Sequence, residues 1–163
     1  MSDQIYAVLM AIENDTLLLP NSAVVEVVPR ETVKPDAGAP KWMIGYCDWN
    51  SRRVPVVSFE LLNGAAAVEQ SRRARVVLVN SLGVHLPVGM MGFLTQGYPH
   101  LVTLNRTAVV AGALRETDRA DLVLSRVRIA SQEAAIPDLE TIEADLLRLE
   151  VTSAGTAGAA SVS

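Results

Sequence analysis

Residues 40–59 read PKWMIGYCDWNSRRVPVVSF, and the fold turns on this stretch. It holds both tryptophans, the only cysteine and an Arg-Arg pair. Gly45 to Trp49 and Arg53 to Phe59 are short runs rich in aromatic and β-branched residues, the composition of strands. Asn50-Ser51-Arg52 between them has turn composition. The stretch therefore predicts a β-hairpin, with a short helical turn from Pro40 to Ile44 leading into it. Pro55 marks the second strand as an edge or a bulge, because proline donates nothing to a ladder. Cys47 reads as a buried free thiol on the first strand; the competing reading is a nucleophile with His85 or His100 as its base.

The rest of the chain extends the β pattern. Gln4 to Ile12, Thr16 to Leu19 and Ser22 to Val28 predict three strands, with a turn cluster at Glu13-Asn14-Asp15 and a loop from Pro29 to Pro40. Ala74 to Asn80 predicts another, and Val84 to Leu94 a bent one, broken by Pro87, Gly89 and Gly92 after a turn at Ser81-Leu82-Gly83. Leu101 to Leu104, Ala108 to Leu114 and Leu122 to Ile129 complete the set. One helix stands out from Asp138. Leu139, Ile142, Leu146 and Leu149 make an apolar stripe, Asp138 suits the N-cap after Pro137, and Glu140 and Glu143 lie near the positive helix start. The class is mainly β with a C-terminal helix. An Ala-rich connector near 64–73 suggests two β subdomains in one domain, residues 1–150, and residues 151–163 are too poor in bulky side chains to pack. No internal sequence repeat is visible.

The chain has 163 residues, half of them hydrophobic, enough for one domain with a real core. A net charge of -4 disfavours duplex nucleic acid, and 4% aromatic residues disfavour a base-stacking platform. One cysteine cannot form an internal disulfide, which fits a reducing compartment. The N-terminus has neither a basic start nor a cleavage site, and its apolar run is too short to span a bilayer, so a cytoplasmic location is expected.

Catalytic constellations are sparse. Neither histidine has metal-ligand spacing to Cys47 or to the other. Asp118 and Asp121 flank Arg119 in RETDRAD (115–121), read as a charged, solvated loop. Arg72, Arg73 and Arg75 form a basic cluster, read as a solvated connector rather than a nucleic-acid patch. Met90-Met91-Gly92 reads as core filling before an adaptable surface. Arg52-Arg53, beside apolar residues at a turn, suits the rim of a protein contact. No cofactor, metal or catalytic residue is expected.

The opening stretch resembles the signature of CheW-like domains, the adaptors of bacterial chemosensory arrays. The family pattern runs from a proline through an apolar pair and a glycine, over an Asn-Leu-Arg-Gly turn, into a Pro-Val-Ile-Asp-Leu strand. Here it becomes Pro40, Met43-Ile44, Gly45, Trp49-Asn50-Ser51 and Pro55-Val56-Val57-Ser58-Phe59. Upstream, Val24-Val25-Glu26-Val27 matches a strand ending in Val-x-Glu-Ile/Val. The second half departs more: Val79 to Gly89 stands where the family has an Ile-Gly then Val-Asp-x-Val segment. Ala135-Ile136-Pro137-Asp138-Leu139 is similar to the late proline and helix of adaptors from pilus-type (twitching) systems.

The resemblance implies two SH3-like five-stranded β-barrels packed together, without catalysis or cofactor. It implies binding to the regulatory domain of a histidine kinase and to the cytoplasmic tip of a chemoreceptor, at membrane-associated arrays but without membrane insertion. On this reading the expected contact surface is Val24, Glu26, Gly45, Asn50 and Arg52, with Glu26 and Arg52 tuning specificity; Val24 as core and Gly45 as a residue the turn geometry demands are the competing readings. The family's turn arginine, which faces the strand glutamate, falls on Asn50, its glycine on Ser51 and its strand aspartate on Ser58. Glu26 is then left to Arg52 or Arg53. The alternatives are a small Cys-dependent enzyme and a small-ligand sensor with its pocket between the β subdomains.

Overall fold

The computed structural model describes residues 4–12, 15–65, 72–80, 88–129 and 131–149. The strands are β1 (Gln4–Ile12), β2 (Asp15–Pro20), β3 (Val24–Pro29), β4 (Val33–Lys34), β5 (Met43–Trp49), β6 (Arg52–Val57), β7 (Arg75–Asn80), β8 (Met90–Thr95), β9 (His100–Asn105), β10 (Val109–Gly112), β11 (Val123–Ile129) and β12 (Gln132–Pro137). Helix α1 (Phe59–Leu62) follows β6, and α2 (139–149) follows β12. The strands form two six-stranded sheets, ordered β10-β11-β12-β2-β1-β9 and β3-β7-β8-β6-β5-β4. Five strands per barrel were expected; the sixth is the short edge β4 or β10.

Chain length forces each sheet to curl. The edge strands β3 and β4 are joined by the 3₁₀ turn Arg30–Thr32, and β9 and β10 by Arg106–Ala108. Such a link spans at most about 15 Å, whereas the edges of a flat six-stranded sheet would lie about 24 Å apart.

The two sheets have one strand order once β1–β2 is matched with β7–β8, β3 with β9, β4 with β10, and β5–β6 with β11–β12. The chain is thus a repeat in architecture that its residues do not display. Each leading hairpin is built into the other repeat's sheet. β2 joins β12 in parallel through Ala135 and Leu17, and β8 joins β6 through Gly92–Val56 and Phe93–Val57.

The exchange explains why several strands read as unbroken apolar runs: both of their faces are covered. Val77 and Val79 of β7, Met91 and Phe93 of β8, and Val8, Met10 and Ile12 of β1 meet between the sheets, together with Ile142 and Leu146 of α2. The alternate residues fill the sheet interiors: Val76, Leu78, Met90 and Leu94 in one, Ala7 and Leu9 in the other. Met90 and Met91 are therefore core, as read.

Four local expectations need correction. Residues 29–40 are not loop throughout: Arg30–Thr32 forms a 3₁₀ turn and β4 pairs with β5. Pro40–Ile44 is not helical throughout, since β5 begins at Met43. β6 is an interior strand, not an edge. Pro55 is tolerated because the ladder to β8 starts only at Val56, and the register irregularity lies opposite, between Met43 and Gly45. β12 went unrecognised because QEAAIP has little strand propensity. Its Ala134 and Ala135 are fully buried, so small side chains suit a close approach and packing overrides propensity. The helix signal holds: Asp138 Oδ1 accepts from the Glu140 and Thr141 amides at 3.1 and 3.3 Å, as an N-cap should.

Residues 13–14, 81–87 and 151–163, and 66–71 of the expected connector, lie outside the described residues. So do His85 and the expected tail. Among the described residues no helix is long and apolar enough to cross a membrane.

Candidate partner-binding site

All five candidate contact residues fall on the sheet that contains β3 and β5–β6. Glu26, Leu78, Gly92, Val56 and Gly45 are successive register partners, so Glu26 and Gly45 share one row four strands apart. Val24 begins β3, half-buried against the core between the sheets. Glu26 follows a register shift in β3 and is exposed. The sequence thus brings two residues to one edge strand and three to the hairpin.

The hairpin tip is a two-residue turn. Asn50 and Ser51 have φ of 46° and 63°, both left-handed, the geometry whose twist matches the flanking strands. Asparagine adopts it readily, whereas serine carries strain there of about 1 kcal/mol. Ser58, at the family's aspartate position, is buried and caps α1: its Oγ accepts from the Leu61 amide at 3.3 Å. Serine and aspartate are equivalent N-caps, so this departure costs the fold little.

Gly45 is buried, with φ of 153°. A Cβ there would run into the Lys34 carbonyl, 2.8 Å from its carbon and 2.9 Å from Pro35 Cα. The absent side chain is what lets β4 close on β5.

Neither neighbouring arginine reaches Glu26. Arg52 donates from Nη1 toward Met90 Sδ at 3.8 Å, and the Arg53 guanidinium lies 3.8 Å above the Tyr46 ring. Among the described residues the Glu26 carboxylate accepts only the Val27 amide, at 3.3 Å. Among the described residues neither Glu26 nor Arg52 has an ion-pair partner. The expected bridge across the surface is thus absent, because both arginines are held on their own strand's surroundings.

Cys47 is 1% exposed, between Val33 and Val54 in the ladder, with Thr32 Oγ1 3.7 Å from its sulfur. His100, one base considered for it, is exposed on β9 in the other sheet. Among the described residues no group of three or more His, Cys, Asp or Glu is placed to hold a metal ion.

The strongest electrostatic feature is one that sequence reasoning missed. Arg126, on β11, is 1% exposed. Its guanidinium bridges Asp118 through Nε and Nη2 at 2.8 and 2.7 Å, and Asp15 through Nη1 and Nη2 at 2.9 and 2.8 Å. Asp118 also accepts from Asn63 Nδ2 at 3.0 Å and from the Arg115 amide at 2.8 Å. The Arg126 hydrogen bonds, helped by those two, outweigh burial and hold the Asp118 carboxyl well below the usual carboxylate range. Arg119 adds contacts to the Leu62 carbonyl and to Asp145 of α2, both at 3.3 Å.

RETDRAD is a loop exposed at most of its residues, as read, but the Asp118 side chain within it is fully buried. The network ties the exchanged hairpin (Asp15), the end of α1 (Asn63) and α2 (Asp145) to the 115–126 segment. No local signal marks Arg126, whose Asp15 partner lies 111 residues away.

Comparison with known proteins places this geometry. A family model for the CheW-like domain matches residues 7–145. Among solved structures, the crystal structure of scaffolding protein TtCheW from Thermoanaerobacter tengcongensis is similar, with a TM-score of 0.69 at 16% identity, over 83% of this chain and 89% of that one. At that identity the likeness speaks for the fold, including its two barrel-like subdomains. Among curated proteins none matches. With the family match spanning most of its length, the chain belongs to the CheW-like domain family.

Proposed function

We propose that this chain is a non-catalytic adaptor that couples the cytoplasmic tip of a chemoreceptor to the regulatory domain of a chemotaxis-type histidine kinase. The observation that carries the reading is the family match across residues 7–145. The similarity to TtCheW, a scaffolding protein, supports it. Val24, Glu26, Asn50 and Arg52 form the contact surface, and Gly45 shapes it by letting β4 close. Glu26 and Arg52 are both exposed, and among the described residues neither has an ion-pair partner, so both can be met by a partner's opposite charges. The partner is recognised from the cytoplasmic side of a membrane-associated array. The similarity of residues 135–139 to twitching-type adaptors suggests a pilus-type system.

The test is a calorimetric titration with the CheW-like regulatory domain of a histidine kinase from the same cell. Arg52→Glu reverses an exposed charge, so its stability stays within about 0.5 kcal/mol of the parent. Its affinity is expected to fall about tenfold or more through like-charge repulsion. A parent chain that binds no such domain ends this reading.

A further inference from the structure

The basic cluster noted in the sequence has no place in the adaptor surface, and Arg75 is not part of a solvated connector. It opens β7 and lines a cleft of about 480 Å³ with Ala11, Arg73, Gln96, Gly97, Tyr98 and His100. The cleft lies where the sheets meet: the Gln96 amide, just past β8, donates to the Ala11 carbonyl at the end of β1 at 2.8 Å. Among its described lining residues none is acidic, although the chain as a whole is acidic.

Arg75 is held ready. Its Nη1 donates to the Arg73 and Ala74 carbonyls at 3.2 and 2.9 Å, and its guanidinium lies 4.9 Å from the centre of the Tyr98 ring. These contacts fix the plane of the fork and leave Nε and Nη2 without an acceptor among the described residues. Among the described residues, arginines 115, 119, 126 and 148 are each engaged by a carboxylate, whereas Arg75 is not. A fixed, half-buried fork loses little freedom when an anion docks, and the partly shielded site strengthens the attraction. Tyr98 keeps 62% of its surface exposed although one face is covered by Arg75. That leaves ring surface on which a planar group can stack.

We propose that this cleft binds a small phosphate-bearing ligand. The guanidinium fork of Arg75 takes phosphate oxygens, His100 adds a donor at the rim, and Tyr98 offers its open face to a base. The cleft's size is that of a small-molecule site. The inference stands independently of the adaptor reading.

Isothermal titration of the full chain with pyrophosphate and with ADP tests it, repeated with Arg75→Gln, His100→Ala and Tyr98→Ala, and with Arg128→Gln as a control. Arg128 is exposed on β11, away from the cleft. Saturable binding below about 1 mM is expected for at least one probe, weakened about tenfold by Arg75→Gln and unchanged by Arg128→Gln. His100→Ala is expected to weaken binding too, on an exposed side chain, which guards against a folding defect in the Arg75 variant. If Tyr98→Ala weakens ADP but not pyrophosphate, the ligand is a nucleotide; if it weakens neither, the cleft takes the phosphate group alone. Either result upholds the site. No saturation by either probe up to about 10 mM overturns it. So does equal weakening by Arg75→Gln and Arg128→Gln, which means diffuse attraction only. Binding of an oligoglutamate peptide without pyrophosphate or ADP would also overturn it, in favour of an acidic protein segment.

Discussion

Arg126→Met is expected to destabilise the chain by about 3–5 kcal/mol, lowering the melting temperature by about 10 °C. The size follows from what stays behind. Methionine fills similar volume, so little packing is lost. Asp118, fully buried, and Asp15, 9% exposed, would keep their charges without the cation that bonds both. Replacing Arg126 and Asp118 together by apolar residues is expected to cost less than the single change, since a buried pair is roughly replaceable whereas a lone buried charge is not. The pH dependence has a definite sign. The folded-state pKa of Asp118 lies below its unfolded value, so its ion pair stabilises the fold above the ordinary carboxylate range. That stability is lost as pH falls from about 4 through the folded value. Thermal scans of both proteins at pH 7 and about pH 3.5 should therefore show the gap narrowing in acid. A variant that melts with the parent at pH 7 would mean that the network holds nothing together.

Gly45→Val is expected to cost more than about 3 kcal/mol and to release β4 from β5. The Lys34 carbonyl and Pro35 Cα occupy the space a side chain needs, and the left-handed backbone at Gly45 resists a β-branched residue. Two backbone atoms, not a movable side chain, make the clash, so relaxation means moving the edge strand. Denaturant unfolding measures the loss, and hydrogen exchange at Val33 and Lys34 localises it. A Gly45→Val protein that also fails to bind a partner must be read against this loss of fold. A stable variant with normal exchange on β4 would show that Gly45 is free to act as a contact residue alone.

How much of this was legible in the sequence depends on how local each feature is. The β5–β6 hairpin and α2 announce themselves within ten residues: a turn between β-branched runs, and a capped stripe of leucines. The family signature is likewise local, and it carried the fold. The hairpin exchange was not legible, because β1–β2 and β7–β8 bury both faces in either arrangement and the sequence does not record which partner covers them. β12 hid behind two alanines whose smallness is itself the packing signal. Arg126 sits in SRVRIA, where an arginine alternating with valine reads as a solvent face. Only the fold delivers Asp15 and Asp118 to it. Of the candidate contact residues, Asn50 and Arg52 lie exposed where the hairpin reading puts them, and Glu26 lies exposed on the strand read before it. The Glu26–arginine bridge did not form, since Arg52 turns to Met90 and Arg53 to Tyr46.

The central claim is that the β3 edge and the β5–β6 tip meet a kinase regulatory domain. Amide hydrogen exchange of the full chain, with and without that domain from the same cell, tests it most directly. The account predicts slowed exchange at Val24 to Val27 and at Trp49 to Arg53 on addition of the partner, with β10 and β11 unchanged. Slowing confined to β10 and β11, or binding without any slowing at the first two segments, would contradict it.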